Sequence, residues 1–111
     1  MFMILIKMSD MELPKKIQIG GQILTTEMCD ELGGKLGKCC AYNGYIRIAT
    51  NIDGCIQTDS SKFNTYVHEC IHIILDTMGR GDLSQDEVFV SSFAGFATEG
   101  LVSILNQSKD K

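Results

Sequence analysis

Five consecutive residues, His68-Glu69-Cys70-Ile71-His72, have types and spacing that can do chemistry. They sit inside a stretch from Phe63 to Leu75 that reads as helix. On a helix, positions i and i+4 lie one turn apart on the same face, so two imidazoles placed this way can hold one metal ion. Glu69 is next to the first histidine and rotated away from the second. It can reach a metal-bound water without being a ligand itself, the division of labour that zinc-assisted hydrolysis needs. The competing reading is a pair of surface histidines on an ordinary helix. Against it, the chain has only two histidines and both fall in this motif, within an amphipathic pattern.

The elements that must position these residues follow from periodicity and turn chemistry. Asp59-Ser60-Ser61 are good N-cap types, so the first main helix is expected to begin there and to stop at Gly79. Phe63, Val67, Cys70, Ile71, Ile74, Leu75 and Met78 form its apolar stripe; Thr65, His68, His72 and Asp76 form a polar one. Gly79-Arg80-Gly81-Asp82 reads as a turn. A second helix is expected from about Ser84 to Asn106, with Val90, Phe93, Ala94, Ala97, Leu101, Ile104 and Leu105 at helical spacing. Gly95 and Gly100 weaken it locally, and as small residues they offer close packing on the first helix.

Ahead of the helices, Lys15 to Cys29 reads as a β-hairpin turning at Gly20-Gly21. Cys39 to Tyr42 and Tyr45 to Thr50 read as a second, turning at Asn43-Gly44. Asn51 to Gln57 reads as a loop. The fold class is therefore α+β: a small antiparallel or mixed sheet of two hairpins, then the motif helix and a long helix packed beside it. Residues 1–14 read as an N-terminal extension or short strand, 15–106 as one domain, and 107–111 as a polar, fraying tail.

A catalytic zinc usually takes three protein ligands. With no third histidine, the last must be a carboxylate or a thiolate. Glu87 opens the second helix, which the short turn folds back beside the first. Ser84-Gln85-Asp86-Glu87 is also a capping-box sequence, in which Glu87 would reach back to a backbone N–H instead. Asp86 and Glu99 are the substitutes. Cys70, two residues from each histidine, points to the other side of the helix. Asp76 is a candidate to accept the second ring N–H of a ligating histidine, or else a solvated helix-end acid. Tyr42, Tyr45 and Tyr66 are candidates for donating to a developing oxyanion; packing roles are the default for each.

At these residues the chain resembles the small gluzincin-type metallopeptidases, the phage- and prophage-type minigluzincins, and more distantly the ImmA/IrrE-type peptidases. Those carry H-E-x-x-H on one helix and a ligand glutamate opening the next, in a pattern like E-x-x-V-x-x-F-A. Here that pattern reads Glu87-Val-Phe-Val90-Ser-Ser-Phe93-Ala94. The resemblance runs from about Lys15 to Leu105; the helix motifs are specific and the strand portion much less so. It implies His68, His72 and Glu87 as ligands of one zinc ion, Glu69 as general base, and a peptide or protein as substrate. The substrate would lie extended along an exposed strand edge, with Tyr45, Ile46, Arg47, Ile48 and Ala49 as the candidate edge because they lead into the motif helix.

Bulk properties narrow the alternatives. At 111 residues there is room for one core. A net charge of −4 argues against a nucleic-acid binder, which usually shows a basic patch. No apolar run stands out as a membrane span, and Met1 to Ile6 lacks the preceding basic residues of a signal peptide, so a cytoplasmic location is expected. The five cysteines have an odd count, irregular spacing and no C-x-x-C pair, and are expected to be reduced structural thiols. Two other function classes compete with hydrolysis. One is a non-catalytic, zinc-stabilised binding or regulatory domain, which would have no use for Glu69. The other is a metal-free interaction protein docking through Phe89, Phe93 and Phe96.

Overall fold

A computed structural model of the chain describes residues 12–109; the apolar run at the N-terminus, read above as an extension or short strand, lies outside them. Strands β1 (Lys16–Ile19) and β2 (Gln22–Cys29) form the first hairpin. Its turn requires positive φ at both Gly20 (59°) and Gly21 (82°), which glycine adopts without a steric penalty. Strands β3 (Gly37–Cys40) and β4 (Tyr45–Ala49) form the second. The two hairpins join through a parallel β2–β4 pairing, giving a mixed four-stranded sheet in the order β1-β2-β4-β3. The α+β architecture is the one expected, with one correction. Tyr45–Ala49 is internal, paired on both sides, and the strand at that margin of the sheet is β3. Composition explains the exchange: Ile46, Ile48 and Ala49 are all completely buried, whereas the Gly-Lys-Cys-Cys run of β3 is only half-buried. The segment read as a loop after β4 is a small ribbon of β5 (Asn51–Ile52) and β6 (Cys55–Ile56), turning at Asp53-Gly54.

Helix α1 (Asp59–Thr77) begins one residue before the expected caps: Thr58 is the N-cap, and its hydroxyl accepts from the Ser61 N–H at 3.1 Å. Gln57 ties the helix start to the sheet. Its amide nitrogen donates to the Ala49 carbonyl, and its amide oxygen accepts from Ser61 (2.7 Å) and Thr65 (2.9 Å). The helix ends as expected at Gly79, whose φ is +78°. The Arg80 N–H reaches the Leu75 carbonyl (2.8 Å) and the Gly79 N–H reaches that of Asp76 (3.1 Å), which is the Schellman arrangement.

α1 is packed on two sides, so it has two apolar faces where the sequence suggested one. Tyr66 and Ile73 pack on the sheet with Leu24, Ile46 and Ile48. Ile71 and Leu75 pack on the last helix with Val90 and Ala94. Each fully buried aliphatic side chain contributes about 1.5–3 kcal/mol. Ile73, outside the expected stripe, is fully buried, while Ile74 and Met78, inside it, are exposed.

The turn after α1 contains a short helix, α2 (Gly81–Ser84), and the second main helix, α3 (Glu87–Lys109), starts three residues later than expected and absorbs most of the polar tail. α3 runs back along α1 on Val90, Ala94 and Thr98, and the Thr98 hydroxyl donates to the Asn64 side-chain oxygen at 3.0 Å. Gly95 and Gly100 face open space, not α1. Phe93, Phe96, Leu101 and Ile104 are exposed, and Glu87–Gln107 is long and apolar enough, by length and composition alone, to cross a membrane, although no span was expected from the sequence.

Candidate metal centre

The start of α3 decides which acid stands beside the two histidines. Asp86, not Ser84, is the cap: its carboxylate accepts from the Phe89 N–H at 3.1 Å. Glu87 is thereby released from the capping-box role and turns toward the histidines. Its Oε1 lies 3.2 Å from Nε2 of His68, its Oε2 lies 3.3 Å from Nε2 of His72, and the two Nε2 atoms are 3.2 Å apart. These three residues form a group that could hold a metal ion, with one ligand atom from each lying within 4.8 Å of the others. Asp86 and Glu99 are not part of it.

The spacing fits such an ion. Two atoms each about 2.05 Å from a tetrahedral centre are about 3.3 Å apart. Nδ1 of His72 is 3.0 Å from the Ser84 hydroxyl. With Nδ1–H donating to Ser84, Nε2 is left with its lone pair facing Nε2 of His68. Two lone pairs at this separation repel unless a cation or a proton lies between them. Ser84 is buried and is supplied by α2, the element that the sequence reading treated as plain turn. It takes the role considered for Asp76, and no spacing rule pointed to it.

Glu69 is almost fully buried and stays out of the ligand group. It borders an open cleft of about 530 Å³ between β3 and the two helices, lined also by Lys35, Gly37, Cys39, Asn64, Asp76 and the three metal-site residues. Cys39 lies beside it on β3. Burial raises the Cys39 thiol pKa, and the neighbouring Glu69 carboxylate raises it further. Burial and Glu69 also raise that of Cys70, to about 11. All five cysteines are free thiols.

None of the tyrosines borders the cleft. The Tyr66 hydroxyl pairs with that of Thr26 at 3.0 Å inside the sheet-facing core. The Tyr45 ring carries the Arg47 guanidinium 3.8 Å above its centre. Tyr42 is almost fully exposed. The structure therefore places Tyr45 and Tyr66 away from the site, and brings Asp76 to the cleft wall without a bond to either histidine.

Comparison of the chain with protein-family models, curated proteins and solved structures returns no match. The site is thus defined by its own geometry: a His-His-Glu group able to bind a metal, with a buried acid one residue from the first ligand, opening on a cleft.

Proposed function

We propose that this chain is a zinc-dependent peptidase of the minimal gluzincin kind, with His68, His72 and Glu87 as ligands and Glu69 as general base. The observation that carries the reading is the pairing of a three-residue group able to hold a metal ion with a separate acid on the same cleft. A zinc ion held there supplies Lewis acidity, polarising the scissile carbonyl and easing deprotonation of water. Glu69 takes the proton of the attacking water and passes it to the leaving amine. The substrate backbone pairs with the outer edge of β3, whose residues Gly37 and Cys39 border the cleft. A purely structural zinc site would close with a fourth protein ligand, and the ligand group has only three among the described residues.

The test is elemental analysis after zinc incubation, followed by cleavage of an unstructured protein such as casein. One zinc per chain in the parent, loss of zinc in Glu87→Ala, and retained zinc without cleavage in Glu69→Gln is the expected set. A Glu69→Gln variant that cuts as fast as the parent removes the general base. A parent that never takes up zinc removes the whole reading and favours the interaction-protein alternative.

A further inference from the structure

The cleft is charged differently at its two ends. Lys35, just ahead of β3, and Asp76, one turn beyond His72 on α1, both border it, and Asn64 is the first residue of α1 to do so. Among the described residues neither is in an ion pair or a side-chain hydrogen bond: the Lys/Arg–carboxylate pairs are Arg47–Glu27, Lys62–Asp59 and Arg80–Asp82, and His72 Nδ1 is occupied by Ser84. Lys38 also borders the cleft, but it stands opposite Arg47 in the β3–β4 ladder. Directly opposed residues share a face, and the next pair, Cys39 and Ile46, is on the face toward α1. Lys38 therefore projects away from α1, and Lys35 is the cation of the cleft.

The order of groups along the cleft can be read from β3. A Cβ on Gly37 would lie 2.7 Å from the Thr65 methyl, and Cys39 lies beside Glu69. β3 thus runs in the same direction as α1, with the Lys35 end at Asn64 and the far end toward Asp76. From Asn64 to Asp76 the helix rises about 18 Å, at 1.5 Å per residue. The midpoint falls between the two histidines, about 9 Å from either end. An extended peptide advances about 3.3 Å per residue, so each end lies two or three substrate residues from the bond over the metal site.

We propose that this polarity selects both the substrate class and its direction: peptides with a basic residue two or three positions before the scissile bond, held by Asp76, and an acidic residue two or three positions after it, held by Lys35. The substrate strand is then antiparallel to β3, the geometry in which inter-strand hydrogen bonds run straight across. This specificity rests on the peptidase reading, and its test separates the two.

Two fluorescent peptides share one apolar centre. The first has lysines before it and glutamates after it; the second has them reversed. Binding is measured by fluorescence anisotropy on zinc-incubated Glu69→Gln, which needs no turnover. The lysine-first peptide is expected to bind roughly tenfold tighter, from two solvent-facing ion pairs, with the difference shrinking in high salt. The double variant Lys35→Glu with Asp76→Lys, in the same background, is expected to reverse the order. Equal affinities, or an order that the charge swap leaves unchanged, overturns the proposal. The parent, with Glu69 intact, then tests the reading beneath: ordered binding without cleavage keeps the charge assignment and rejects hydrolysis, while cleavage of both peptides at equal kcat/KM keeps hydrolysis and rejects the charge assignment.

Discussion

Ser84 places its hydroxyl 3.0 Å from Nδ1 of His72, across the turn that joins the two halves of the metal centre. The contact couples α2 to the ligand set. It favours the His72 tautomer that presents Nε2 to a metal and resists rotation of the ring. Removing such an outer partner typically weakens metal affinity 10- to 100-fold. Ser84→Ala is therefore expected to raise the zinc Kd by about that factor in a competitive chelator titration, with the secondary structure intact by circular dichroism. An unchanged Kd would mean that the ring is held by packing alone.

Asp86 and Glu87 are adjacent acids in different settings: Asp86 caps α3, and Glu87 belongs to the group that could hold a metal. Asp86→Ala is expected to cost about 1 kcal/mol, the usual value of an N-cap, and to leave zinc stoichiometry near that of the parent. Glu87→Ala is expected to cost little stability without metal, since its side chain is two-thirds exposed, and to lose the ion. Thermal melts with and without zinc read both effects. The zinc-dependent rise in Tm should survive the first substitution and vanish with the second.

That division was only partly legible in the sequence. His68, His72 and Glu69 announce themselves by spacing, because a helix has one period and the motif matches it. Glu87 was visible but shared its four-residue window with a capping box; the choice depended on Asp86 capping instead, a local hydrogen bond that composition does not rank. The first hairpin was legible from Gly20-Gly21, since turn chemistry is local; the second was legible as a pair, but its first strand is Gly37–Cys40 and not 39–42, and its connection spans residues 41–44 and not Asn43-Gly44 alone. Strand order was not: whether β3 or β4 lies outermost depends on the β2–β4 pairing, a contact between segments about twenty residues apart. Ile73 was missed for a similar reason. A single-stripe reading assumes one packing partner, and α1 has the sheet on one side and α3 on the other.

The partly buried thiols Cys39 and Cys70 should show their surroundings in alkaline solution. Burial, reinforced by Glu69, raises the pKa of Cys39 and brings that of Cys70 to about 11. The folded chain thus holds two thiol protons that the unfolded chain releases near pH 8.5. Where the unfolded state binds fewer protons, stability falls as pH rises. This contribution is complete below about pH 8 and is lost progressively toward pH 11. Urea midpoints should therefore decline over that window in the parent, and decline less in Cys39→Ala with Cys70→Ala. Alkylation at pH 8 should modify exposed Cys55 first and reach Cys39 and Cys70 only slowly, because the thiolate is the reacting form. Rapid labelling of Cys39 in the folded protein would contradict its placement beside Glu69.

Gly37 brings edge strand β3 close to the motif helix. An added Cβ would lie 2.7 Å from the Thr65 methyl and 3.0 Å from the Arg47 carbonyl oxygen. Neither can yield cheaply. Thr65 is a buried, β-branched residue hydrogen-bonded to Gln57, and the Arg47 carbonyl belongs to internal strand β4. Gly37→Ala is therefore expected to destabilise the fold by about 1–3 kcal/mol, as overpacking does, and to push β3 away from α1, so that Cys39 becomes faster to alkylate. Gly95→Ala is the matched control. Gly95 lies within α3 with open space around it, and alanine there removes a helix penalty of about 0.5–1 kcal/mol. The two substitutions add the same methyl group and should shift Tm in opposite directions. A Gly37→Ala protein as stable as the parent would show that β3 is not seated against the helix, and the cleft would lose its second wall.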